Sequence, residues 1–182
     1  VIFIFLAGTR ATLLTLISIP VTFLLTFAGM YAFGIELNIV TLTGIILAVG
    51  LLVDDTVVVA ENIDRHIKEY NKPPLQASAD GVKEIFTADF SGTMTTIAVL
   101  IPVMFVGGYT QQILRPLALV LTMSLISSFI VSVTLIPLLF PYLKKETKAE
   151  SFISGKIEKI SDFIVSPSIK FFDYIFKVSV RK

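Results

Sequence analysis

Residues 50–62 read GLLVDDTVVVAEN. Asp54 and Asp55 stand side by side, behind the uncharged run NIVTLTGIILAVGLLV and ahead of Thr56 and three valines. The combined stretch is long enough to cross a bilayer, which takes about 20 apolar residues. At a rise of about 1.5 Å per residue, acids some fifteen residues into a span from residue 39 lie about 22 Å from its outer end, inside the hydrocarbon. An aspartate at the bilayer centre costs about 2.5–3.5 kcal/mol on insertion scales. Each of two neighbouring carboxylates also disfavours ionisation of the other. A soluble core would face the same difficulty in milder form.

The rest of the chain has the same character. Of 182 residues, 54% are hydrophobic and 16% charged, and the mean hydropathy is +0.85. Ordinary soluble domains carry about 25% charged residues. Long apolar runs alternate with charged clusters, as in a polytopic membrane protein. The expected fold class is an all-α transmembrane helix bundle. There is no cysteine and a single histidine, His66, so neither a disulfide framework nor a thiolate or histidine-rich metal site is expected. Basic residues cluster at helix ends and in the tail, without the interleaved exposed aromatics of a nucleic-acid surface.

Residues 1–7 read as the end of a truncated transmembrane helix. Four spans follow, at about residues 11–33, 39–60, 90–106 and 116–143, with Pro20 predicting a kink in the first. The charged segment 61–89 is expected as a loop, with a turn at residues 71–74 and a short helix starting at Pro74. Arg10, the four Lys and Arg of 61–89, and Lys144, Lys145 and the tail fall on one side; the opposite side carries only Arg115. The positive-inside rule makes the first side cytoplasmic. In the tail, residues 144–182, Ile153, Ile157, Ile160 and Ile164 recur at helical spacing with Lys and Glu between them. This predicts an amphipathic helix in the cytoplasmic membrane interface, with a helix packed on protein as the alternative.

The four spans contain no Lys or Arg. Asp54 and Asp55 therefore stay neutral, titrate as a coupled pair, or meet a cation from outside this stretch. Acids held in a low-dielectric interior near a movable cation form a proton relay, because protonation changes the cost of holding a helix in one position. The alternative is a helix that ends before Asp54 and leaves both acids solvated; Thr56–Ala60 speaks against it. Gly44 and Ala48 form a small-xxx-small pair, and Gly50 precedes Asp54 by one turn, so all three are candidates for close helix packing. Glycine is also simply common in membrane helices.

The run GIILAVGLLVDDTVVVAENIDR, residues 44–65, resembles the fourth-helix motif of the resistance-nodulation-division (RND) efflux transporters. FLAGTRATLL (5–14), FGIELNIVTLTG (33–44), PPLQASADGVKEI (73–85) and TTIAVLIPVMFVGG (95–108) resemble successive parts of the same family, from the end of its second helix to just before its seventh. The resemblance implies a homotrimeric, proton-driven exporter of the cytoplasmic (inner) membrane. It needs no cofactor beyond the proton gradient, and a periplasmic adaptor and an outer-membrane channel are partners. It assigns proton translocation to Asp54 and Asp55, with a lysine counter-ion supplied by the other half of the transporter. It further implies that the fragment does not transport alone. Two adjacent acids look more like the drug and amphiphile (acriflavin-resistance-like) branch than the heavy-metal branch. Two other readings stay open. One is an intramembrane aspartyl protease segment, which needs carboxylates converging from two helices, and no second span here carries an acid. The other is a transport-dead structural membrane piece.

Overall fold

Asn38 opens the helix that carries the acids. Its side chain accepts from the Thr41 backbone N–H at 3.0 Å, and the Thr41 hydroxyl accepts from the Asn38 N–H at 2.8 Å. This reciprocal capping box satisfies N–H groups that a helix start leaves unpaired. The computed structural model describes residues 9–143, with side chains from residue 12. It has four long helices, α1 (Thr9–Ala32), α2 (Ile39–Lys68), α3 (Pro74–Val103) and α4 (Tyr109–Leu139), then a 3-10 turn at Phe140–Tyr142. No strand occurs among the described residues. All four helices are long and apolar enough to cross a membrane, so the chain is an all-α membrane helix bundle. Contacts divide it into two units, Leu13–Lys144 and Val1–Thr12 with Lys145–Lys182. The first is the unit described below. The expected helix end at 1–7 and the interfacial tail at 144–182 lie outside the described residues.

The turns follow from local chemistry. Gly34 adopts φ 64°, and the Ile35 N–H returns to the Met30 carbonyl at 2.9 Å, a left-handed helix stop that suits glycine. Gly108, the N-cap of α4, takes an extended conformation with φ 79° and ψ −159° that glycine alone adopts readily. Between α2 and α3 the left-handed residue is Asn71 (φ 50°), among the few side chains that adopt it readily.

The helices overrun the spans expected from hydropathy. Segment 61–89 is helix except around residues 69–73: α2 continues to Lys68, and α3 runs without a break from Pro74 to Val103. Pro74 sets the first turn, and the Ala, Gln, Lys and Glu residues behind it are good helix formers that carry the helix through Gly81. A helix of 30 residues is about 45 Å long, against a hydrocarbon core of about 30 Å. The charged segment thus extends the helices beyond the apolar layer. Pro20 lies inside an unbroken α1. α4 begins at Tyr109, seven residues before the expected start, because Gly108 and not Pro116 marks the boundary.

α4 is the central helix, with 50% of its apolar stretch buried against 11% for α3. It packs most extensively on α2. Ala48 and Leu52 of α2 meet Leu121 of α4, while Met30, Ile45 and Val120 join α1, α2 and α4. A Cβ on Gly44 would sit 3.4 Å from the Leu117 carbonyl and 3.5 Å from Val120 Cβ, so the two helices approach closely there. A Cβ on Gly50 would meet nothing within 4 Å.

Candidate functional site

The buried stripe of α2 passes through Ala48, Leu52, Thr56 and Val59. At 100° per residue, neighbours in sequence cannot share that stripe. Asp55 lies at its margin and is half-buried, whereas Asp54 is exposed. Both carboxylates line a groove of about 360 Å³ whose opposite wall is α3, through Ile85, Ala88, Asp89 and Gly92. Leu51, Val58 and Leu125 supply apolar walls. Asp55 Oδ2 and Asp89 Oδ2 are shielded from solvent and have no hydrogen-bond partner among the described residues.

Hydroxyls from the central helix reach toward these acids. Ser128 donates to the Leu52 carbonyl at 3.1 Å and stands beside the Asp55 carboxyl. Ser132, one turn further, stands beside Asp89. Thr56 is tied to α1 by a 3.1 Å bond from its hydroxyl to Ser18 Oγ. The helix carrying the acids is therefore held by polar contacts on both flanks, the kind of interhelical bond that membrane helices use.

Two turns beyond the acids, toward the charged end of the bundle, α2 and α3 touch backbone to backbone. A Cβ on Gly81 would come within 3.1 Å of Ile63 Cα. Asn62 Nδ2 donates to the Gly81 carbonyl at 2.7 Å. Glu84 accepts from Arg65 at 2.7 Å and lies 2.6 Å from His66 Nε2, and Lys72 pairs with Asp80 at 2.6 Å. The bonds from His66 and Arg65 hold the Glu84 carboxyl well below the usual range, to about 2. The Lys72 ammonium likewise lowers Asp80. These contacts clasp the charged ends of α2 and α3.

The structure thus adds Asp89, Ser128, Ser132 and the clasp to the acids read from sequence. Asp89 looks like the last residue of a charged loop when helices are placed by hydropathy alone. The antiparallel register of α2 and α3 is the signal that would have found it. It also removes one reason for setting the protease reading aside, since a second helix does bring a carboxyl to the groove.

These features define a multi-pass helix bundle with carboxylates inside its apolar layer. Comparison with known proteins narrows that class. The AcrB/AcrD/AcrF family matches residues 1–177. The multidrug resistance protein MdtC of Enterobacter sp. (strain 638) is 38% identical over 151 residues, covering 83% of this chain and 15% of that protein. MdtC of Escherichia coli O139:H28 (strain E24377A / ETEC) is 37% identical over 148 residues, covering 81% and 14%. The chain belongs to the AcrB/AcrD/AcrF family of RND multidrug efflux transporters and is a multi-pass protein of the inner membrane. Membership in a transporter family, not the geometry of the acids, decides against the protease. The chain spans about 15% of the length of the curated relatives it matches.

Proposed function

We propose that this chain is the proton-coupling segment of an RND pump that exports drugs or amphiphilic compounds, with Asp54 and Asp55 taking up and releasing the protons. The observation that carries the reading is the position of the two acids. They line a groove within a helix apolar enough to cross a membrane, and one Asp55 oxygen is shielded and unpartnered. An ionised carboxyl there needs a cation, and a protonated one does not. The affinity of the site for a proton therefore differs between helix positions, and by linkage proton binding biases those positions.

The remaining parts of the reading come from the family. The counter-ion is a lysine from the other half of the transporter. The assembly is a homotrimer working with a periplasmic adaptor and an outer-membrane channel, and the charged ends of α2 and α3 face the cytoplasm. Gly44 and Ala48 bring α4 against the acid-bearing helix. Gly50, where an added Cβ meets nothing within 4 Å among the described residues, packs against a segment contributed by the rest of the pump. The relatives' own designation, multidrug resistance protein, supports the drug branch.

The test uses the full-length transporter with Asp54→Asn or Asp55→Asn. Export and proton uptake should both collapse while the protein still inserts and assembles. Undiminished proton-coupled export in both variants would sink the proposal. A wild-type full-length protein that assembles but moves neither protons nor drugs would favour the transport-dead reading.

A further inference from the structure

We propose that Asp89 is a third proton-handling carboxyl of this site, sharing the proton with Asp55 across the α2–α3 groove. The inference deepens the proton-coupling reading above and rests on it.

Register supplies the geometry. The close contact of Gly81 with Ile63 fixes how the two antiparallel helices align. Asp89 follows Gly81 by eight residues, and Asp55 precedes Ile63 by eight. Each helix climbs about 12 Å over that distance, so the two carboxyls arrive at one level. Both line the same groove. Each has one oxygen, its Oδ2, shielded from solvent and without a hydrogen-bond partner among the described residues.

Among the described side chains, what faces Asp89 is acidic or neutral. α2 brings Asp54 and Asp55. α4 brings the Ser132 hydroxyl, and its one charged residue, Arg115, is 17 residues from Ser132, about 25 Å along the helix. Between residues 12 and 32, α1 has no charged side chain. On α3 itself the nearest charges, Glu84 and Lys83, are more than a turn away, and Glu84 is engaged in the clasp. Carboxylates collected in an apolar layer without a facing cation are costly to ionise together. A proton held between Asp55 and Asp89 relieves that cost, because a protonated carboxyl donates where an ionised one only accepts. Such groups titrate as a coupled set.

The consequence is mechanical. With the proton present, the two helices are drawn together at the groove. With it absent, two like charges push them apart, while the clasp at Gly81 holds the charged end. The proton enters from one aqueous phase and leaves to the other, and no further reactant is needed. Asp89 thus lets one proton act on two helices.

The experiment compares Asp89→Asn and Asp89→Glu with wild type in the full-length transporter, reading export and proton uptake against pH. Asp89→Asn should assemble, and its pH of half-maximal coupling should move toward acid by about one unit, the scale of a neighbouring-charge effect. Asp89→Glu should restore the wild-type profile. An unchanged profile in Asp89→Asn, with coupling abolished in Asp55→Asn, overturns this inference alone. Intact coupling in Asp55→Asn removes the proton-coupling reading and this inference with it. Failure of Asp89→Asn to assemble while Asp89→Glu assembles would make the carboxyl a structural element, and would also overturn the inference.

Discussion

Asn62 on α2 donates its side-chain N–H to the Gly81 carbonyl on α3 at 2.7 Å, beside a backbone contact so close that an added Cβ would lie 3.1 Å from Ile63 Cα. The pair marks the point where α2 and α3 are locked in register. Gly81→Val is expected to force the helices apart and cost about 1–3 kcal/mol, the usual range for overpacking a tight interior. Gly81→Ala should follow in the same direction with a smaller loss. Asn62→Ala removes the bond but keeps the packing space, and is expected to cost about 0.5–1.5 kcal/mol. Thermal unfolding of the purified transporter in detergent would rank the three variants. A Gly81→Val protein as stable as wild type would contradict the close approach.

The carboxylates of the clasp should give it an acid limb. Glu84 in the folded chain sits at about 2, below its ordinary 4.5, because His66 and Arg65 bond its carboxylate. A depressed carboxyl contributes stability that is fully present above the unfolded value and lost as pH falls through the folded one. Asp80, lowered by Lys72, acts in the same sense. The charged ends of α2 and α3 should therefore loosen between about pH 4.5 and pH 2 and show no contribution from Glu84 to pH dependence near neutrality. Glu84 is about half exposed, so solvent screening keeps the effect modest. Amide exchange over residues 66–84 would report it, and Glu84→Gln should flatten the acid limb.

Much of this architecture was legible in the sequence, and the gaps have physical causes. Hydropathy placed four spans because each apolar run is long enough to cross a bilayer, and Asp54 and Asp55 stood out because acids are costly there. Helix ends were less legible. Hydropathy reports the apolar layer, while Lys68 and Pro74 mark where the backbone stops being helical, well outside that layer. Asp89 was missed for the same reason: a span drawn to begin at residue 90 excludes it by one position. Partners across helices, such as Ser128 for Leu52 or Glu84 for His66, depend on register, which a single sequence carries only weakly.

Glycines 44 and 50 should respond differently to substitution. Gly44 faces the Leu117 carbonyl and Val120 at ordinary van der Waals distance for a methyl group, so Gly44→Ala is expected to be tolerated and Gly44→Leu to part α2 from α4. Around Gly50 the four-helix unit is open. Gly50→Leu should leave the stability of this segment unchanged when it is expressed alone, yet impair assembly or transport of the full-length pump. Equal behaviour of Gly50→Leu and wild type in the full-length protein would remove Gly50 from the packing set.

Two buried serines one turn apart on α4 should give effects of opposite sign. Ser128 bridges to the Leu52 carbonyl, and interhelical bonds of this kind contribute about 0.6 kcal/mol in membrane proteins. Ser128→Ala should therefore destabilise by about that amount. It should also disturb proton coupling, because the same hydroxyl stands beside Asp55. Ser124 is completely buried, and its hydroxyl has no partner among the described residues. A buried hydroxyl without a bond carries its desolvation cost uncompensated. Ser124→Ala removes the oxygen at almost constant shape and should be neutral or stabilising, with coupling unchanged. Unfolding of the two variants side by side, with proton uptake measured on each, checks both signs at once. A destabilised Ser124→Ala would mean that its hydroxyl has a partner contributed from outside this segment.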